Sequence, residues 1–161
     1  NLPQKDKMTH PAYNEIKAEQ IPLLKDEKSE IRIVAGEYKG TKAAMQGQFV
    51  DATYLDVKME ANGELTIQTK EGETVFVYVL DGEAFFGTEE KKVETRSAAI
   101  FGDGEGLMFR TKDKSIRMLV LAGKPLKEPI SWGGPIVMNT RAELETAFDE
   151  LDNGTFIKHA K

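Results

Sequence analysis

The chain has 161 residues, 27 Asp and Glu against 22 Lys and Arg, two His and no Cys, for a net charge of -5. The absence of cysteine excludes disulfides, thiolate metal centres and cysteine nucleophiles and fits a reducing compartment, the cytoplasm or in a eukaryote the nucleus. The acidic balance argues against direct nucleic-acid binding, which rests on clustered Lys and Arg, and no apolar run reaches the roughly 18 residues of a membrane span.

Residues 1–30 are polar, carry Pro3, Pro11 and Pro22, and show no sustained period. They read as an extended arm with strand-like pieces around Tyr13 to Ile16. The opening NLPQKDK, which starts at Asn1 without Met, reads as the continuation of a longer chain. From residue 31 to 161 the pattern predicts one β-barrel domain. Strands are expected at IRIVAG (31–36), TYLDVKM (53–59), ELTIQT (64–69), VFVYVL (75–80), AFFG (84–87), SAAIF (97–101), GLMFR (106–110) and IRMLVLAG (116–123). Many short strands at this spacing imply an antiparallel sandwich or barrel. Asn62-Gly63 and Asp81-Gly82 supply the positive φ of tight hairpins, and Glu71-Gly72 makes a third reversal.

GKPLKEPISWGGPIVMN, residues 123–139, holds Pro125, Pro129 and Pro135 and reads as an ordered loop or edge crossing. One helix is predicted near the end, over about residues 140–152. Thr140 and Glu143 form a capping box, Leu144, Ala147, Phe148 and Leu151 make one apolar stripe, and Asn153-Gly154 supplies the stop.

The candidate chemistry is sparse. His10 lies in the arm and His159 at the far end, so both read as solvent-exposed rather than as metal ligands. Glu71, Glu73, Asp103 and Glu105 would make a carboxylate-only site, suited to calcium, magnesium or manganese. They fall in turns, however, where acidic side chains are normally solvated. GDGEG (102–106) joins two predicted strands and opens no helix, so it reads as a turn and not a phosphate loop. Ser97, Ser115 and Ser131 have no histidine partner for a triad. Trp132 marks either a contact surface or packing beneath its loop. Met45, Met59, Met108, Met118 and Met138 read as core filling. No residue is assigned as catalytic, cofactor-binding or metal-ligating.

VYVLDGEAFFG, followed by a strand and the turn FGDGEG, resembles the double-stranded β-helix of the cupin superfamily. That family's first motif runs His-x-His, three or four residues, Glu, six residues, Gly. With Gly82 as the glycine, Val75 occupies the glutamate position. The histidine positions fall on Gln68 and Lys70, or on Thr69 and Glu71 with the shorter spacing, and no histidine follows Gly106 for the second motif. An iron or copper site needs inward imidazoles and usually one carboxylate, so the resemblance implies a cupin barrel lacking its metal ligands.

LVLAGKPLKEPISWGGPIVMNTRAELETAFDELDNGTF is similar to the closing signature of the pirin family, and IRIVAGEYKG and FVYVLDGEAFFG agree with it in order and character. The resemblance implies a bicupin whose N-terminal barrel holds Fe(II) through histidines and a glutamate, while the C-terminal barrel has lost the site. It also implies the family's activities, iron-dependent quercetin 2,3-dioxygenation and nuclear co-regulation. The expectation is therefore a non-catalytic C-terminal cupin, with no cofactor in this chain. Its expected partners are the N-terminal cupin of the same protein, a second copy of itself through self-association, and a regulatory protein, with no nucleic acid or membrane. The rival readings are a self-sufficient small cupin enzyme with a carboxylate or metal-free pocket, and a barrel that binds a small molecule. Whether the barrel interior is filled or hollow stays open.

Overall fold

The computed structural model describes residues 1–158; His159 lies outside the described residues. Two compact units are formed, one by Ile16–Pro125 and the other by Asn1–Glu15 together with the chain from Leu126 onward. This division differs from a boundary at residue 30. Leu23–Lys25 pairs as a strand in the larger unit, whereas Gln4 bonds within the smaller one.

The larger unit is built from β1 (Leu23–Lys25), β2 (Ser29–Ala35), β3 (Glu37–Tyr38), β4 (Thr41–Lys42), β5 (Ala52–Met59), β6 (Glu64–Gln68), β7 (Thr74–Phe86), β8 (Lys91–Glu94), β9 (Ala98–Phe101), β10 (Gly106–Arg110) and β11 (Ile116–Gly123). Nine of these join one sheet in the order β1-β2-β5-β11-β7-β10-β6, with β8 and β9 also on β7, and β3 and β4 make a separate small hairpin. Every pairing in the nine-stranded sheet is antiparallel.

Period-two alternation sets the core. Ile33, Leu55, Val120 and Val77 lie side by side across four strands, and Ile31, Val57, Met118 and Val79 make the next row. All eight are buried. Each such side chain contributes about 1.5–3 kcal/mol on burial, so these rows dominate the stability of the sheet.

The strands expected at 75–80 and 84–87 are one bent strand, β7, and Asp81-Gly82 is not a hairpin turn. β11 pairs along both sides of the bend, with Met118 opposite Val79 and Arg117 opposite Asp81, so that Leu80 is the bulged residue. Gly82 has φ +79°, and a Cβ placed there would stand 1.9 Å from the Ser115 carbonyl oxygen. Only glycine allows that approach. The bend lets β7 pair with β9 before it and with β8 and β10 after it.

Asn62 does adopt positive φ, at 56°, yet β5 and β6 are not partners. The turn instead carries the chain from beside β11 to beside β10. Buried Thr111 holds it: the Gly63 N–H donates to Thr111 Oγ1 at 2.9 Å, and that hydroxyl donates to the Glu60 carbonyl.

In the smaller unit, β12 (Ser131–Gly133) and β13 (Ile136–Met138) make a two-stranded sheet of their own, followed by α1 (Arg141–Asp152). The capping box forms as expected: the Glu143 N–H donates to Thr140 Oγ1, and the Glu143 carboxylate accepts from the Thr140 N–H. Ile136, Met138 and Ala147 are the buried core, with Leu144 and Phe156 packed against it. The arm has no strand at residues 13–16; Gln4 ties its start to this unit by donating to the Glu128 and Glu143 carboxylates.

Candidate functional site

Two of the positions that the motif marks, Val75 and Thr69, meet at one cavity in the larger unit. Val75 near the start of β7, Thr69 just past β6, Phe101 at the end of β9 and Leu107 on β10 line a space of about 270 Å³. Val75 is placed there by its ladder partners, Ala122 on one side and Phe101 on the other. Phe101 also meets Phe86 at 5.3 Å between ring centroids, and Phe86 stacks on Phe109 at 5.6 Å. An aromatic layer therefore backs the cavity.

Of the two possible histidine spacings, the shorter one sets Thr69 at the cavity. Gln68 and Lys70 are exposed, and the Lys70 ammonium sits 3.1 Å from the Asp51 carboxylate, whose hydrogen bond raises the Lys70 pKa. Glu71 is exposed in the turn. The Thr69 hydroxyl donates to the Gly104 carbonyl at 3.0 Å. The cavity thus offers hydrocarbon at the carboxylate position and an engaged hydroxyl at one imidazole position. Such a donor set does not fit iron or copper.

The four acidic candidates do not form a joint site. Asp103 Oδ1 accepts from the Gly72 N–H at 2.8 Å, and the Glu105 carbonyl accepts from the Thr69 N–H. Glu73 corrects the sequence reading, because it is only 9% exposed and its Oε2 accepts from the Lys70 N–H at 3.1 Å. It is buried because it closes its own turn. The Asp103 carboxylate and the Glu105 carbonyl lace residues 69–73 to the loop between β9 and β10, while the Glu73 carboxylate braces its own turn. Among the described residues no three His, Asp or Glu side chains gather as a metal site would require.

The remaining candidates stand apart. His10 is exposed, and no hydrogen bond among the described residues joins Ser97, Ser115 or Ser131 to a histidine. Trp132 is 76% exposed, with its indole N–H donating to the Gly134 carbonyl at 2.8 Å, so it is not packed beneath its loop. Met59, Met118 and Met138 are buried as core filling, whereas Met108 is partly exposed and lines the cavity.

A second concavity of about 580 Å³ runs from Lys25 to Glu30 and on to Lys58, Asp81 and Arg117. Its lining carries charges of both signs, several of them paired. The Lys25 ammonium pairs with Glu30, and Arg117 grips Asp56 with two hydrogen bonds of 2.8 and 3.1 Å. The Ser29 hydroxyl, followed by the Lys28 and Ser29 N–H groups, holds the Asp26 carboxyl below its ordinary pKa. Asp26 caps the turn between β1 and β2.

A curled antiparallel sheet around a single apolar core, with Val75 and Thr69 of the motif at one cavity, defines a cupin barrel. The profile of the pirin C-terminal cupin domain matches residues 54–157. The chain belongs to the pirin family. It is 34% identical to a Thermoplasma acidophilum protein provisionally named a quercetin 2,3-dioxygenase, over 99% of this chain and 63% of that one. It is 31% identical to human pirin, over 95% of this chain and 53% of that one. A crystal structure of quercetin 2,3-dioxygenase from Acinetobacter baumannii superposes with a TM-score of 0.89 at 34% identity, covering 97% of this chain and 54% of the other. The chain therefore spans a little over half the length of the relatives it matches. Among the described residues no helix is long and apolar enough to cross a membrane.

Proposed function

We propose that this chain is the non-catalytic, C-terminal cupin of a pirin-like protein related to quercetin 2,3-dioxygenases, acting as a structural and interaction domain. The supporting observation is the site itself. Val75 stands where the cupin motif has its carboxylate, in a cavity walled by hydrocarbon, while Gly82 of the same motif keeps its structural task at the β7 bend. The matched family domain is the C-terminal one, and the chain spans about half of its relatives. In this reading Fe(II) and the oxidative chemistry belong to an N-terminal cupin, which this domain packs against and steadies. A regulatory protein partner would bind the assembled pair, in the cytoplasm or nucleus.

Two domains of one chain typically share an interface of about 600–1,500 Å². Their covalent link supplies an effective concentration of order millimolar, so the separate halves are expected to bind weakly. Elemental analysis after dialysis is expected to find no stoichiometric iron, copper, nickel or zinc in this chain. Light scattering is expected to show partial self-association that rises with concentration, and titration with a separately expressed N-terminal cupin to show saturable binding. One transition metal per chain would overturn the non-catalytic reading. A strictly monomeric chain with no affinity for the N-terminal cupin would overturn the interaction reading in favour of an autonomous cupin.

A further inference from the structure

We infer that the cavity beneath the loop joining β9 to β10 is a binding site for a compact apolar molecule of one or two rings. The inference stands whether or not the chain acts as a structural domain. Its first support is the chemistry of the lining. Val75, Phe101, Leu107 and Met108 supply the walls, no charged side chain takes part, the Thr69 hydroxyl is already engaged with the Gly104 carbonyl, and Thr88 adds one solvent-exposed hydroxyl. An ionic or strongly polar ligand would lose its hydration there without compensation. An apolar one would gain by leaving water.

The second support is the rim. Gly102 and Gly104 both border the cavity, neither has the left-handed φ that demands glycine, and a Cβ placed at either meets nothing within 4 Å. Gly87 and Gly106, the other two glycines at the cavity, are explained otherwise. Gly87 has φ +67°, and a Cβ at Gly106 would press on the Thr66 methyl at 3.2 Å. Neither backbone conformation nor packing accounts for glycine at 102 and 104, and what their missing side chains leave is an open mouth. The volume bounds the occupant. A cavity of roughly 150 Å³ lined by aliphatic and aromatic side chains holds benzene, and sites for drug-sized molecules begin at about 300 Å³. At about 270 Å³ the space suits a bicyclic molecule.

The test titrates the full chain, labelled at Val, Leu and Met methyls, with indole, and with tetramethylammonium as a charged control. Indole is expected to produce saturable shifts at Val75, Leu107 and Met108, with the core methyls of Val57 and Met118 unmoved and the control without effect. Gly104→Leu, which fills the mouth, is expected to weaken indole binding at least tenfold while leaving thermal unfolding unchanged. Should that variant fold poorly, Val75→Phe narrows the cavity from within and is expected to give the same loss. Absence of saturable shifts at millimolar indole, shifts spread over the whole methyl spectrum, or undiminished affinity in the folded variant would each overturn the assignment.

Discussion

Replacing Gly82 by Ala tests the reading of β7 as one bent strand. At φ +79° an alanine pays the left-handed penalty of about 1–2 kcal/mol. Its Cβ would also lie 1.9 Å from the Ser115 carbonyl oxygen and 2.9 Å from the carbonyl carbon. Both atoms are backbone, so relief requires β11 to shift where Ile116 pairs with Gly82. Overpacking of that kind costs about 1–3 kcal/mol more, placing the whole effect at about 2–5 kcal/mol. Gly72→Ala is the matched control, because its φ is +76° but its Cβ would meet nothing within 4 Å. It is expected to lose only the conformational part, about 1–2 kcal/mol. Equilibrium denaturation in urea, followed by the far-UV signal of the sheet, measures both. If Gly82→Ala lies within about 0.5 kcal/mol of Gly72→Ala, an error typical of surface substitutions, the close approach of β7 to Ser115 is wrong.

Two further outcomes are expected. Thr111→Val leaves the Gly63 N–H and the Glu60 carbonyl without their partner in a buried turn and should cost about 1–3 kcal/mol, while Thr111→Ser keeps most of the stability; equal melts for the two variants would exclude this brace. Asp26 has its folded pKa lowered chiefly by the Ser29 hydroxyl, so its contribution is full above the ordinary carboxylate pKa of about 4 and disappears as pH falls through the lowered folded value. Wild type should therefore melt above Asp26→Asn at pH 7, and the gap should close on acidification below about pH 4; a gap independent of pH would refute the assignment.

The parts of the fold written in local pattern were legible. Alternation placed the inward rows of β2, β5, β7 and β11, and the box of Thr140 and Glu143 placed the start of α1. What stayed hidden was decided by distant segments. Asp81-Gly82 carries the signal of a tight turn, and only β11, running past both sides of it, makes the same dipeptide a bulge. No strand is predicted at Lys91–Glu94, three of whose four residues are ionisable; it becomes β8 by pairing with the ladder of β7. Pro129 and Pro135 concealed the hairpin of β12 and β13, a two-stranded sheet of its own whose ladder the prolines do not enter. Glu73 looked solvated because its neighbours are, and its burial follows from a bond to a backbone N–H three residues back.

The site divides along the same line. The identities at 69 and 75 were readable, and so was their unsuitability for a transition metal. The hollow was not, since it depends on how far side chains from β7, β9 and β10 fill the space between them. The physical reason that the barrel accepts Val75 is continuity. Val75, Val77 and Val79 extend one inward stripe of β7, and Val75 is buried between Ala122 and Phe101. A carboxylate there without a metal would carry a desolvation cost of several kcal/mol. Valine removes that cost and joins the core, so the fold has no need of a metal at this position to hold its strands together. Glycines 102 and 104 at the rim then leave the space unfilled. A barrel needing only a continuous core could close this gap with larger side chains at 102 and 104, where nothing obstructs them. That these positions are glycine is why the cavity belongs with what the domain binds rather than with what holds it together.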